Sequence, residues 1–244
     1  MTVVILVPGI LTPGRIRFAP LVAAIGSADC EVKELEVYAG SQVPDDYSLQ
    51  MEVDGLDRFA SERGLERFHL YGFSIGGSIA LAYVAEHGSR VASLALDEPA
   101  TDFTADDRKA MAAEGTDRLA DLPPGERMKL FMQTMTRPGV NLAPPPRQPT
   151  GPEMALRPAG LAAVSLPVRD YAIDEPKLRA YTGPVYFSYG GLSNARWEAM
   201  ATRMRTRFPR CVVERYNDRH HLDASHQAEP ERVATALRTL WGQT

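Results

Sequence analysis

Short apolar segments alternate with amphipathic segments along most of the chain. Six segments have the length and apolar character of strands: residues 3–7, 31–38, 68–72, 91–96, 185–189 and 211–216. Between and after them, apolar side chains recur with helical spacing in residues 19–25, 49–63 and 75–86, and again around Trp197 and Val233. Strands that alternate with helices pair in parallel and carry helices on both faces of the sheet. The pattern predicts an α/β fold with about six mainly parallel strands.

One segment interrupts this alternation. Residues 101–182 contain helical stretches such as residues 125–136 and a proline-rich run, and the strand pattern resumes after Gly183. This segment is too long for a plain loop. It does not link two domains, because the same alternation continues beyond it. We expect residues 1–100 and 183–244 to form one core domain, with residues 101–182 as a helical insertion that folds over the edge of the sheet.

Composition and charge narrow the class of protein. The chain has 244 residues, of which 44% are hydrophobic and 24% charged, as in ordinary globular proteins. Its net charge of −4 and the absence of a basic patch argue against nucleic acid as a partner. Cys30 and Cys211 lie far apart in the chain, without metal or redox spacing. No apolar run approaches the ~18 residues of a membrane span, and the N-terminus resembles a first strand, so we expect a cytoplasmic protein.

A lone serine lies between two glycines where the third predicted strand gives way to a helix, in Gly72-Phe73-Ser74-Ile75-Gly76. Such a turn holds a serine at a strained backbone angle with its Oγ above the sheet, and bulky residues two positions away would collide. The N-terminus of the following helix favours negative charge here, and the amide of Ile75 is placed to donate to an oxyanion. The alternative is a helix that uses Ser74 only as its N-cap. The strand-to-helix context favours Ser74 as a nucleophile.

In this context the motif resembles the nucleophile elbow of the α/β-hydrolase family, and the resemblance covers nearly the whole chain. After the first strand, "LVPGILTPG" has Pro8-Gly9 where family members often carry His-Gly before an oxyanion loop. By this match the backbone N–H of Ile10, or of Leu11, is the second oxyanion donor; an ordinary Pro-Gly turn is the alternative. Residues 101–182 occupy the place of the family's cap domain. The resemblance implies an α/β-hydrolase fold with a helical cap.

The family places its catalytic histidine in the loop after the last strand. Here that loop begins "YNDRHHLDASHQAEPERV" and carries three of the five histidines, His220, His221 and His226. His221 is the candidate base, because the family's histidine usually precedes a short loop before the final helix. His220 is the adjacent alternative, and His226 is close enough to the helix start to cap it or to line the site.

The acid departs from the commonest family pattern. Many members carry an aspartate after the penultimate strand, but the loop "SYGGLSNARW" has no carboxylate before Glu198. A second family position follows the strand after the nucleophile helix, where this sequence reads "LALDEPA". Glu98, followed by proline as in a recurring subgroup, is the candidate acid, and Asp97 is the alternative. Adjacent residues of an extended segment point opposite ways, so only one of them is expected to face the histidine. Asp218 and Asp223 flank the histidines of the last loop and are further carboxylates able to orient a histidine.

The resemblance implies a serine hydrolase in which Glu98 orients His221, His221 activates Ser74, and the amides of Ile75 and Ile10 bind the oxyanion. The expected substrate is a small-molecule ester, thioester or lactone with an apolar acyl group, because the insertion is rich in methionine and other apolar residues. This chemistry needs no metal and no organic cofactor. The same fold carries lyases, cyclases, acyltransferases, cofactor-free peroxidases and non-catalytic binding proteins, and these are the alternative functions.

Overall fold

The structure, a computed structural model, describes residues 3–26, 29–119, 121–141 and 151–242. Within these ranges six strands form one sheet in the order β2-β1-β3-β4-β5-β6, and every neighbouring pair is parallel. The strands are β1 (Val4–Val7), β2 (Cys30–Val32), β3 (Phe68–Phe73), β4 (Val91–Asp97), β5 (Val185–Gly190) and β6 (Cys211–Tyr216). The predicted α/β class with about six mainly parallel strands is confirmed.

Helices cover the sheet and fill most of the connections between strands. They are α1 (Gly14–Arg17), α2 (Ala19–Ile25), α3 (Leu49–Glu62), α4 (Ile75–His87), α5 (Ala105–Ala113), α6 (Pro124–Thr134), α7 (Pro152–Ala155), α8 (Arg157–Asp170), α9 (Glu175–Arg179), α10 (Arg196–Arg207), α11 (Ser225–Ala228) and α12 (Pro230–Leu240). No helix in the four described ranges is long and apolar enough to cross a membrane.

Alternate side chains of the strands enter two hydrophobic layers, one on each face of the sheet. In β1, Ile5 and Val7 join the larger cluster with α3, α4 and α10, whereas Val4 and Leu6 join the smaller cluster with α2 and α12. The central strands β3 and β5 are buried along their whole length, as expected for a parallel sheet covered on both faces. This arrangement of helices on both faces of the sheet fixes the carboxyl ends of β3, β4 and β5 at one edge of the sheet.

The strand predicted over residues 31–38 is wrong in its second half. β2 ends early, and Glu36–Tyr38 forms a 3₁₀ turn. The buried carboxylate of Glu52 on α3 accepts hydrogen bonds from the amides of Glu36 (2.8 Å) and Val37 (3.0 Å). Those backbone donors therefore do not pair with a neighbouring strand, although the apolar pattern of the segment is typical of one.

The segment between β4 and β5 is helical where the structure describes it, from α5 to α9. Its buried apolar side chains belong to the same hydrophobic cluster as the larger face of the sheet; among them are Phe103, Phe131, Leu161, Val164 and Val168. After α6, an antiparallel bridge joins Thr136 to Ser193 in the loop after β5. Residues 142–150, within the proline-rich run, lie outside the described residues. The role of residues 101–182 as a cap stays a prediction.

Candidate active site

Ser74 has a backbone conformation that L-residues rarely adopt. It joins β3 to α4 with φ 56° and ψ −123°. The turn is tight because α4 begins against β1: a Cβ on Gly76 would lie 2.2 Å from the carbonyl oxygen of Val7. A Cβ on Gly72 would lie 2.3 Å from the carbonyl oxygen of Gly76. Both flanking positions therefore require glycine, as the sequence motif indicates, and backbone strain of this kind is common at functional sites.

The structure brings the three predicted triad residues together. His221 Nε2 lies 3.1 Å from Ser74 Oγ, and His221 Nδ1 lies 2.8 Å from Glu98 Oε2. The other carboxylate oxygen, Glu98 Oε1, accepts the amide hydrogen of Gly190 at 2.7 Å, at the end of β5. All three side chains are buried, with Ser74 exposed to only 6% and His221 to 3%. The three side chains thus form one line of contacts from Glu98 through His221 to Ser74.

The alternative acid Asp97 and the other two histidines, His220 and His226, are not part of this line of contacts. Asp97 Oδ2 lies 2.7 Å from His226 Nδ1 and accepts a hydrogen bond from the Tyr71 hydroxyl at 2.9 Å. Burial alone would raise the pKa of Asp97, but hydrogen bonds from His226, Tyr71 and Ser188 outweigh it and lower that pKa. His220 Nδ1 accepts the amide hydrogen of Asp223 and makes no contact with Ser74. Asp97 and His226 thus form a second buried pair beside the first.

Other carboxylates near the histidines are engaged in different contacts. Asp223 is paired with Arg219 at 2.8 Å, and the structure gives Asp218 no contact with His221. Among the residues described, no group of three or more His, Cys, Asp or Glu side chains could hold a metal ion. Of the carboxylates considered from the sequence, Glu98 is the one placed against His221.

Two aromatic rings enclose the imidazole of His221. The Trp197 ring stacks on it at 4.6 Å between centroids with 9° between the planes, and the Phe73 ring stacks on it at 4.9 Å with 26°. The indole of Trp197 is itself anchored, because its Nε1 donates to the carbonyl oxygen of Pro99 at 2.8 Å. Neither contact was predictable from the sequence, because Phe73 is an unspecified position of the motif and Trp197 has only the apolar spacing of an amphipathic helix. Together the rings restrict the rotation of His221.

Burial disfavours the charged forms of the His221–Glu98 pair. Burial, together with the negative charge of Asp97, raises the pKa of Glu98 to about 8. Burial also lowers the pKa of His221 well below its usual 6.5, and the positive charges of Arg196 and Arg17 act in the same direction. Because Glu98 Oε2 and His221 Nδ1 lie 2.8 Å apart, a proton gained or lost by one group affects the titration of the other. A neutral imidazole, the form needed in a base, is therefore favoured at neutral pH.

The two predicted oxyanion donors lie beside Ser74. Neither the amide of Ile75 nor that of Ile10 donates a hydrogen bond to any residue that the structure describes. Ile75 opens α4 immediately after Ser74. A Cβ on Gly9, the neighbour of Ile10, would lie 3.2 Å from Ser74 Cβ and 3.0 Å from the Phe73 ring. Both amides are thus in the immediate surroundings of Ser74 with free hydrogen-bonding capacity, and their binding of an oxyanion stays a prediction.

Apolar side chains surround this part of the molecule. Ile10 and Ile75 belong to the larger hydrophobic cluster, which also includes Phe131 and Leu161 of the inserted segment. Partly buried side chains also pack against this cluster, among them Leu11, Met128, Met132 and Leu222. Methionine and leucine side chains are adaptable apolar surfaces. Apolar side chains of the core and of the inserted segment thus belong to one continuous cluster that includes Ile10 and Ile75.

Comparison with known proteins supports the same fold. The family model described as the alpha/beta hydrolase fold matches residues 38–130 of the chain. Monoacylglycerol lipase abhd6-A of Xenopus laevis is 41% identical over 58 residues, which are 23% of this chain. That match spans only 17% of the length of the lipase. Each of these two matches covers less than half of the chain.

Solved structures resemble the chain over almost its whole length. An esterase from Exiguobacterium antarcticum superposes with a TM-score of 0.68 at 15% identity, and the match covers 98% of this chain and 92% of the esterase. A haloalkane dehalogenase loop variant from Bradyrhizobium elkanii superposes with a TM-score of 0.66 at 20% identity, covering 99% of this chain and 89% of the dehalogenase. At these identities the likeness concerns the fold.

Proposed function

Because the chain belongs to the α/β-hydrolase fold superfamily, we propose that it is a serine hydrolase with the triad Ser74, His221 and Glu98. The observation that carries the proposal is the line of two contacts from Glu98 Oε2 through His221 to Ser74 Oγ, at 2.8 Å and 3.1 Å. A serine hydroxyl is a weak nucleophile until a base takes its proton, and these contacts provide the base and the group that orients it.

Acylation begins when Ser74 Oγ attacks the carbonyl carbon of the substrate and His221 Nε2 takes the hydroxyl proton. The carbonyl oxygen becomes an oxyanion, which accepts hydrogen bonds from the amides of Ile75 and Ile10. Each such donor typically contributes about 3 kcal/mol to the transition state. Glu98 accepts a hydrogen bond from the Nδ1–H of His221 and, without taking that proton, stabilises the imidazolium. His221 then gives its proton to the leaving oxygen or sulfur, and the acyl group stays on Ser74.

Deacylation repeats these steps with water. His221 takes a proton from a water molecule that attacks the acyl carbon, and the proton then returns to Ser74 Oγ as the carboxylic acid leaves. In a lactone the leaving hydroxyl belongs to the same molecule, so the product is a single hydroxy acid. Each half-reaction needs only the triad and the two amides.

The proposed substrate class is an ester, thioester or lactone with a small apolar acyl group. Ser74 is almost fully buried, so the acyl group must fit a space bounded by protein. The inserted segment contributes apolar side chains to the cluster around Ile10 and Ile75, among them Phe131 and Leu161. An apolar acyl chain gains free energy when such surfaces remove it from water. We assign residues 101–182 the role of a cap that determines acyl size.

Hydrolysis of p-nitrophenyl esters of increasing acyl length tests the proposal. The parent protein is expected to hydrolyse short acyl esters with a definite chain-length optimum. Ser74→Ala and His221→Ala are expected to reduce kcat by at least about 10⁴-fold, because the triad acts as a unit. Identification of the free acid as the product separates hydrolysis from lyase or acyl-transfer chemistry.

Matched variants control this experiment. Ser89→Ala removes an exposed serine of the 3₁₀ turn Gly88–Arg90, and His220→Gln removes the histidine next to His221. Both are expected to keep kcat within about twofold of the parent, since neither side chain contacts Ser74. Full turnover by Ser74→Ala, or a loss in His220→Gln equal to that in His221→Ala, would contradict the proposed triad.

A further inference from the structure

The carbonyl oxygen of Ile10 is held by two side chains from different parts of the molecule. The Tyr38 hydroxyl donates to it at 2.9 Å, and Arg157 Nη1 donates to it at 3.4 Å. The Arg157 guanidinium also lies over the Tyr38 ring, 3.8 Å from its centroid. Arg157 belongs to the inserted segment and Tyr38 to the core, so the carbonyl of Ile10 is a junction between the two.

Arg157 is a fixed group rather than a flexible surface cation. Its side chain is 5% exposed, and its Nη2 pairs with Glu34 Oε2 at 3.0 Å. Glu34 is held in turn, because its carboxylate accepts the amide hydrogens of Gly14 and Leu35, each at 2.9 Å. A buried guanidinium with a carboxylate partner and a stacked ring has little freedom to leave the Ile10 carbonyl.

Helix α8 approaches this junction closely. A Cβ on Gly160 would lie 2.2 Å from the Tyr38 hydroxyl oxygen, so the backbone of α8 packs directly on Tyr38. Arg157 and Gly160 are three residues apart and therefore lie on the same face of α8. Helix α8 thus contacts Tyr38 in two ways, through the Arg157 guanidinium over the ring and through the backbone at Gly160 against the hydroxyl.

Holding this oxygen fixes a whole peptide unit. The peptide between Ile10 and Leu11 is planar and trans, so its N–H points away from its C=O. Rotating this unit would remove both hydrogen bonds from a buried carbonyl, which is unfavourable. Hydrogen bonding to the carbonyl also polarises the peptide and strengthens its N–H as a donor. On the other side of Ile10, Gly9 is packed against Ser74 and the Phe73 ring.

We infer that Arg157 and Tyr38 are positioning residues for the oxyanion site: by holding the Ile10 carbonyl they set the direction of the Leu11 amide, which belongs to the same peptide unit. Together with the packed Gly9 they also hold the Ile10 amide between two anchored points beside Ser74. Through helix α8, the position of the inserted segment thereby affects the orientation of the oxyanion donors beside Ser74. This inference rests on the proposed function. Its substrate-independent part, the anchoring of one peptide unit, is measurable without turnover.

Selective isotope labelling observes this peptide unit directly. The sequence contains two Ile-Leu pairs, Ile5-Leu6 and Ile10-Leu11. Labelling isoleucine with ¹³C at the carbonyl and leucine with ¹⁵N therefore gives an HNCO spectrum with two cross-peaks. In Arg157→Met and Tyr38→Phe the Ile10-Leu11 cross-peak is expected to move. The Ile5-Leu6 cross-peak, from buried β1, is expected to stay and reports that the fold is intact.

Arg15→Met is the matched control. It removes another arginine that pairs with the inserted segment, through Glu153, but that does not contact the Ile10 carbonyl. This variant is expected to leave both cross-peaks in place and kcat within about twofold of the parent. Tyr38→Phe keeps the ring under Arg157 and loses only the hydroxyl, so it serves if Arg157→Met fails to fold.

The expected catalytic consequence is a lower kcat with little change in KM. Arg157→Met is expected to lower kcat by about 10- to 100-fold and Tyr38→Phe by about 10-fold, because a displaced oxyanion donor weakens only the transition state. KM is expected to stay within about threefold, and the acid limb of the pH profile to stay in place, because the His221–Glu98 pair is untouched.

The inference would be overturned by an Ile10-Leu11 cross-peak that does not move in either variant, or by a moved cross-peak with kcat unchanged within twofold. A loss of activity that appears only as a higher KM would also overturn it. Failure of the proposed function looks different. In that case the parent protein itself neither hydrolyses esters nor reacts with a serine-directed probe, while the HNCO spectra still decide whether Arg157 and Tyr38 hold the peptide.

Discussion

At the scale of single residues, Asp97 and Glu98 are sequence neighbours that lie against different histidines. Glu98 Oε2 is 2.8 Å from His221, whereas Asp97 Oδ2 is 2.7 Å from His226. The divergence has a backbone cause as well as the usual alternation, because Glu98 has a φ of 46° at the end of β4. Asp97 consequently influences the candidate triad by its charge and not by contact with His221.

Asp97→Asn is expected to shift the acid limb of the kcat/KM profile to lower pH. The negative charge of Asp97 raises the pKa of Glu98 and also opposes the lowering of the pKa of His221. Its removal lowers both pKa values, so the pair loses its proton at lower pH whichever residue carries it. The measurement is kcat/KM for one ester between about pH 4 and pH 9.

Asp223→Asn is the control for that experiment. Its side chain is 47% exposed and paired with Arg219, so solvent screens its effect on the site. The profile of this variant should coincide with that of the parent. An acid limb that stays in place or moves to higher pH in Asp97→Asn would contradict the electrostatic account of the site.

Glu98→Gln is expected to lose activity. Its free energy of unfolding relative to that of the parent is expected to increase as pH rises. A raised folded-state pKa means that the folded chain retains its proton where the unfolded chain has lost it. The stability contributed by Glu98 is therefore complete below the unfolded pKa of about 4.3 and declines as pH rises through about 8. Urea unfolding of the parent and of Glu98→Gln at about pH 5 and pH 8 measures this difference in the free energy of unfolding. In the ester assay, Glu98→Gln is expected to lose about 10⁴-fold in kcat. An equal stability difference at both pH values would contradict it.

At the scale of secondary-structure elements, α10 places Trp197 against His221 while the end of β3 places Phe73 on it. Trp197 is fully buried and anchored to the carbonyl of Pro99, the residue after Glu98. The ring therefore connects the loop that carries the acid to the imidazole. A base held between two rings keeps the orientation in which both of its nitrogens reach their partners.

Trp197→Leu is expected to lower kcat by about 10-fold or more, whereas Trp197→Phe, which keeps an aromatic face, should retain most of the activity. Trp241→Leu is the matched control, since the other tryptophan stacks on His69, away from the triad. Kinetics are measured below the unfolding transition of each variant, because replacing this fully buried ring with the smaller leucine leaves a cavity that destabilises the fold. Equal kcat values for the Leu variants of Trp197 and Trp241 would contradict the positioning role.

The elements also show what sequence can and cannot predict. The turn at Ser74 was predictable because its causes are local: a strand, a helix and two glycines within five residues. The 3₁₀ turn Glu36–Tyr38 was not, because its cause is the carboxylate of Glu52 on a helix further along the chain. Trp197 has the same limitation, since helical spacing identifies a buried ring but not the side chain on which it stacks.

At the scale of the whole molecule, the sheet assembles the site from distant parts of the chain. Ser74 and His221 are 147 residues apart, and Glu98 and His221 are 123 apart. Parallel strands bring their carboxyl ends to one edge, where ligands of α/β sheets bind. The parallel pairing of about six strands followed from the alternation of strands and helices, and the placement of Glu98 near His221 followed from the family resemblance. The junction of Arg157 with Tyr38 and Ile10 did not, because nothing in the local sequence relates a helix of the insertion to the first loop.

The most direct measurement is intact-mass spectrometry after exposure to a fluorophosphonate, with the modified peptide mapped. One adduct per chain is expected on Ser74, absent in Ser74→Ala, retained in Ser89→Ala, and formed much more slowly in His221→Ala and Glu98→Gln. An unmodified, folded parent protein, or an adduct that persists in Ser74→Ala, would contradict the claim that Ser74 is an activated nucleophile.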